Sequence, residues 1–177
     1  FLLHPPVRIL YNKDRPQRGK WKCFQNFYKN WEGRFLMQVQ QLSVFVENKS
    51  GRLAEIAEII AGAGADIRAL TVADTSDFGI LRLIVDKPQI AAQALRDADM
   101  TVSITSVIMM GLSDQPGAFA QAMRTLAENH VSVEYMYAFV SKDSGRASVI
   151  IRTDEVERGI EVLRAGGVTI LSQEDIG

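Results

Sequence analysis

Beyond residue 36 the sequence has no cysteine, and its one thiol in 177 residues is Cys23. That excludes a disulfide-stapled scaffold and a cysteine nucleophile in the larger part of the chain. Histidine is nearly absent too: His4 and His130 are the two present. A His/Cys metal centre therefore has no ligand set, and we expect no metal. No apolar run approaches the roughly 20 residues of a membrane span. No glycine-rich loop carries the lysine of a phosphate cradle, so no cofactor is expected. Gly62-Ala63-Gly64 follows a helical pattern rather than a strand, the reverse of a dinucleotide fingerprint.

What is present is unevenly spread. Residues 1–36 hold eight Lys and Arg against two Asp and Glu, a net of +6; the rest holds twelve against nineteen, a net of −7. Both tryptophans, Trp21 and Trp31, lie in that first segment, and Phe24, Phe27, Tyr28 and Trp31 have helical spacing. A basic, aromatic segment can meet phosphates or a membrane surface. It lacks the apolar core of a signal peptide and the Ser-rich pattern of a transit peptide. Met37 stands just before the first alternating run, and Trp31-Glu32-Gly33 back-translates to a purine-rich, ribosome-binding-like string. We expect residues 1–36 to be translated upstream sequence, and exclude them from the fold. The acidic remainder argues against nucleic acid as a partner. No membrane partner is expected, and the location expected is the cytoplasm of a bacterium.

From Gln38 the patterning is regular. Leu42, Val44 and Val46 alternate as in a strand. Leu53, Ile56, Ala57, Ile59 and Ile60 give a helical apolar face, closed by Gly62 and Gly64. Ile67–Val72 and Gly79–Val85 flank a polar turn at Asp74–Asp77 and read as a hairpin. Pro88 suits the first turn of a second helix, which carries Ile90, Ala94 and Leu95. Val102–Val107 alternates again. The order is βαββαβ, and it then restarts. Ile108–Gly111 reads as a strand, and Phe119, Ala122, Met123 and Leu126 as a helix face. Val131–Val140 and Arg146–Arg152 form a second hairpin. Val156, Ile160 and Leu163 line a helix stopped by Gly166-Gly167, and Val168–Leu171 closes the copy. The offset is 66 through the hairpin and 68 by the last helix. This is a tandem repeat of about 70 residues, divided as 38–107 and 108–177.

The fold class is α+β: two ferredoxin-like βαββαβ units with antiparallel sheets and the helices on one face. Each leaves a bare sheet face and is marginal alone at this size. The two should pack together, edge to edge or face to face.

The strand-to-helix junctions carry the chemistry. They read Asn48-Lys49-Ser50-Gly51-Arg52-Leu53 and Asp114-Gln115-Pro116-Gly117-Ala118-Phe119. A helix start offers unpaired N–H groups and partial positive charge to a carboxylate or phosphate. These turns, in this element order, resemble those of ACT domains, the amino-acid-sensing modules of aspartate kinase, chorismate mutase and prephenate dehydrogenase. The second turn matches the family's acidic-x-Pro-Gly-x-apolar pattern; the first has Ser50 in the proline position. The whole resembles a stand-alone tandem ACT protein.

The resemblance implies a function and a site. ACT units often pair through their second strands, with an amino acid between the glycine turn of one and the second strand of the other. Turn 48–53 would then face Ser132–Met136, including Glu134 and Tyr135, and turn 114–119 would face Asp66–Leu70, including Asp66 and Ile67. Asp66 and Glu134 would meet the ammonium. The expected function is a non-catalytic sensor that binds a free amino acid and regulates a partner, either a second copy of the chain or an enzyme. Blander readings stand beside these. Gly51 and Gly117 serve any tight turn, Arg52 can be a solvated surface residue, and Asp114 can cap the helix. Met109, Met110 and Met136 suit core filling. Two rival functions remain: an interaction module with empty pockets, and an enzyme on a ferredoxin-like fold, which hosts many activities.

Overall fold

The computed structural model describes residues 37–74, 78–140 and 146–176; the expectations for residues 1–36 and for the tip of the Asp74–Asp77 turn lie outside them. Twelve elements follow in order: β1 Val39–Glu47, α1 Arg52–Gly62, β2 Ile67–Asp74, β3 Phe78–Val85, α2 Pro88–Asp97, β4 Val102–Ser113, α3 Ala118–Glu128, β5 Val133–Val140, β6 Arg146–Thr153, α4 Val156–Ala165, β7 Thr169–Leu171 and a 3-10 turn, Gln173–Ile176. The sequence predicts each helix and strand close to these bounds, with one exception.

That exception is β4. The sequence suggests two strands meeting at 107/108, but Val102–Ser113 is one strand of 12 residues. The run from Val102 to Met110 contains no Gly, Pro, Asn or Asp, so nothing there bends the chain. Val102–Val107 pairs with β1 in the first repeat, and Ile108–Ser113 pairs with β6 in the second. β7 pairs with Met109–Gly111. One antiparallel sheet of seven strands results, in the order β2-β3-β1-β4-β6-β5, with β7 on β4.

Three cores follow from strand alternation. Leu42, Val44, Leu81 and Leu83 pack against Ile56, Ile60, Ala91 and Leu95 of α1 and α2. Ile108, Met110, Val149 and Ile151 pack against Ala122, Leu126, Ile160 and Leu163 of α3 and α4. The opposite, helix-free faces meet each other in a third core of Val39, Ala69, Ile84, Val107, Met109 and Ile150. The sheet is thus continuous through β4 and also folded so that its two halves pack face to face.

The contact between the halves is lopsided. β5 presents Tyr135, Tyr137 and Phe139 to it, where β2 presents Ala69, Thr71 and Ala73 at the matching positions. The Tyr135 ring lies over the Arg82 guanidinium at 4.0 Å. Fully buried Gln41 donates to the Tyr135 hydroxyl at 2.8 Å and accepts from the Tyr137 hydroxyl at 3.1 Å. Burial pushes the Tyr137 hydroxyl well above the usual phenol range.

Three expected core positions are open. Leu53 is 52% exposed, Phe119 43% and Met136 40%. Leu53 lies beside Val72 of β2 and Met136 is in β5, the two end strands of the sheet order. Ile90 is likewise exposed, unlike Ala91, Ala92 and Leu95 of the same helix.

Candidate functional site

Both glycine turns are built alike. Gly51 (φ 88°) and Gly117 (φ 93°) hold the N-cap positions of α1 and α3 in the left-handed conformation. In the first turn Lys49 N–H donates to Glu47 O, Arg52 N–H to Lys49 O and Glu55 N–H to Gly51 O, at 2.8, 3.3 and 3.0 Å. In the second, Gln115 donates to Ser113, Ala118 to Gln115 and Gln121 to Gly117, at 2.8, 3.2 and 2.9 Å. Replacing Pro116 by Ser50 leaves the backbone path unchanged, because the glycine sets it. A Cβ at either glycine would meet nothing within 4 Å. The requirement is therefore the positive φ and not lack of room.

The flanking side chains differ. In the first turn Lys49 pairs with Glu47 at 2.6 Å and Arg52 with Glu55 at 2.7 Å. The Lys49 ammonium holds the Glu47 carboxyl below its usual range, and the Glu55 carboxylate raises Arg52. Arg52 is thus engaged along its own helix. Asp114 does not cap α3: neither N-cap has a side-chain cap bond, and Gly117 occupies the place from which a cap would reach. Asn48, Ser50, Gln115 and Pro116 are exposed, as is Phe119, while Ala118 is half-buried.

The second-strand residues are held elsewhere. The Asp66 N–H donates to the Asp86 carboxylate, the Asp66 carbonyl accepts from the Asp86 N–H, and the Asp66 carboxylate pairs with Arg68 at 3.5 Å. Glu134 pairs with Arg152 at 3.4 Å, and Tyr135 faces Gln41 and Arg82. Ile67 packs on the first core. The expected joining of second strands is not made within the chain, because β2 and β5 end the sheet order at opposite sides. A cleft of about 110 Å³ beside the first turn is lined by Asn48, Lys49, Arg52 and Leu53 with Val72 and Gly79, all of its own repeat. The structure brings each turn to its own repeat and not to the other.

Further clefts flank the turns on the side of the last strand. One of about 230 Å³ is lined by Ser113, Ala118, Gln121 and the Gly166–Thr169 segment. Its counterpart in the first repeat, about 160 Å³, is lined by Glu47, Arg52, Ile56 and Asp99–Thr101. Sequence reading missed both. The available signal was the change in residue size between aligned repeats. A more open groove of about 700 Å³ gathers Arg152, Asp154 and Arg158, but its Arg152 is bound to Ser106 O at 2.7 Å and to Glu134. Among the described residues no three His, Cys, Asp or Glu are grouped to hold a metal ion.

Two ferredoxin-like repeats share a strand, and each carries the same left-handed glycine turn at a helix start. The chain belongs to the ACT domain pair family, whose model matches residues 37–177. It is similar to protein BT0572 from Bacteroides thetaiotaomicron: 41% identity, TM-score 0.75, covering 79% of this chain and 96% of that one. The regulatory subunit of aspartate kinase from Thermus thermophilus, ligand-free, shares the fold at 17% identity and TM-score 0.53, covering 73% and 92%. That from Thermus flavus does so at 16% and 0.52, covering 73% and 93%. No curated protein sequence matches the chain.

Proposed function

We propose that the protein is a non-catalytic regulatory module that binds a free amino acid at its glycine turns and transmits the binding to a partner protein. One observation carries the reading: two helix-start turns with the same backbone path, in an ACT domain pair. Beyond the Arg52 and Ala118 amides, which bond within the turn, their first-turn N–H groups have no partner inside the helix and suit a carboxylate. The Thermus relatives are regulatory subunits of an enzyme, which supports the second half of the reading.

The partner surface is the pair of end strands. Leu53 and Val72 are exposed together at the first turn, Leu70 is exposed on the same end strand, and Phe119 and Met136 are exposed in the second repeat. An end strand offers unpaired backbone groups, and its exposed apolar side chains favour a second strand there. A second copy of the chain or a regulated enzyme would supply it. A ligand at the turn can shift that pairing only by its differential affinity for the two states.

Calorimetric titration with the twenty amino acids at millimolar concentration tests the reading. Heat and a raised melting temperature for at least one are expected. Neither, for any of them, would overturn it. The exposed end strands also favour a second reading, an oligomerisation module with empty turns, which predicts a stable complex indifferent to every amino acid.

A further inference from the structure

The clefts on the last-strand side of the two turns share eight aligned positions, while Phe78 lines only the first and Gln121 and Gly166 only the second. In the second repeat β4 runs two residues past its final pair with β7, Gly111 with Thr169, and the cleft opens there against α3. Set against the first repeat, Glu47 becomes Ser113, Arg52 becomes Ala118 and Ile56 becomes Ala122. Asp99 becomes Gly167 and Met100 becomes Val168. All five positions shrink, and the volume rises from about 160 to about 230 Å³.

The polar groups differ in availability as well as size. In the first repeat the ion pairs of Arg52 with Glu55 and of Glu47 with Lys49 occupy one another. In the second, the Ser113 hydroxyl, the Gln121 carboxamide and the Thr169 hydroxyl have no protein partner among the described residues. A side chain added at Gly167 would also find open space, with nothing within 4 Å of its Cβ.

We propose that this cleft is the ligand seat of the second repeat, that it takes a free amino acid with a small uncharged side chain, and that the first repeat's counterpart is closed by its own side chains. Each chain then binds one ligand at these clefts. The proposal rests on the amino-acid-binding reading above and adds the place, the selectivity and the stoichiometry. Hydroxyls and a carboxamide both donate and accept, so they can meet an α-carboxylate and an α-ammonium together. No ionised side chain lines the cleft. A charged ligand side chain would enter without a countercharge, at a desolvation cost. A cleft below the usual range of about 300–1,000 Å³ for drug-sized ligands disfavours large aromatic side chains.

The test is calorimetry of the full chain with glycine, alanine, serine and threonine against aspartate, arginine, phenylalanine and tryptophan. It compares the wild type with Ala118→Arg/Gln121→Glu, which transplants the first repeat's ion pair, and with Thr169→Val, which removes one hydroxyl without changing shape. Melting temperatures check that each variant is folded; Thr169→Val, exposed and in a strand, carries the test if the double variant is not. The expected results are one ligand per chain, preference for the small uncharged set, loss of binding in the double variant and about tenfold weakening in Thr169→Val. Two ligands per chain, preference for charged or aromatic amino acids, or unchanged binding in the folded variants would overturn the cleft while leaving amino-acid binding intact. No binding of any amino acid to the wild type would overturn both.

Discussion

At Gly51 and Gly117 the fold asks for one thing, a backbone turned to positive φ with room around it. An alanine would fit sterically at either and would still strain the backbone. Gly51→Ala and Gly117→Ala should therefore each destabilise by about 1–2 kcal/mol, and by nearly the same amount. Chemical denaturation measures this; a loss at one turn and none at the other would contradict a shared geometry. The two glycines were legible in the sequence because a residue type with a unique conformational range marks its own position. The role of Asp114 was not. Capping depends on which residue holds the N-cap, and the glycine holds it. Nor was the pairing of Arg52 with Glu55 foreseen, since an i,i+3 partner competes with any ligand for the same guanidinium.

At the scale of elements, alternation and helical period placed the helices and every strand but one, because each element turns an apolar face to the core of its repeat. The joining of two expected strands into β4 escaped, although its residues show no turn signal, because the repeat suggested a boundary at Val107. A repeat-matched bracket also escaped notice. The Asp86 carboxylate accepts the Asp66 N–H at 2.7 Å, and Asp154 accepts the Ser132 N–H at 3.0 Å. Each fixes the start of an end strand beside its bulge, at Ile67/Ala69 and Val133/Tyr135. The Asp66 N–H, with Lys87 adding its charge, holds the Asp86 carboxyl below the usual carboxylate range. A folded-state value below the unfolded one gives stability that is complete above the unfolded value, near 4, and is lost as pH falls through the lowered folded value. Asp86→Asn should remove that part of the acid dependence. Urea unfolding between pH 2 and 6 would show a shallower acid limb than wild type, and an unchanged slope would contradict the bracket.

In the whole molecule the two repeats are one folding body, since β4 belongs to both and the helix-free faces form a common core. That arrangement was open in the sequence, where edge pairing and face packing stood as alternatives. Gln41 and the tyrosines that satisfy it are 94 and 96 residues apart, beyond any local pattern. Tyr137→Phe leaves the buried Gln41 carbonyl without its donor and should cost about 1–3 kcal/mol. Denaturation followed by circular dichroism should show this in a single transition; no loss, or a second transition, would contradict the interlocked halves. The face-to-face packing buries the helix-free faces and leaves Leu53, Phe119 and Met136 exposed. The central claim is that a free amino acid binds at a glycine turn. Its most direct test is a nitrogen–proton NMR titration of the folded protein with mixed free amino acids. We predict shifts centred on the amides of Gly117, Ala118 and Gln121 and on Gly167–Thr169. Spectra that do not change, or changes confined to residues away from both glycine turns, would contradict it.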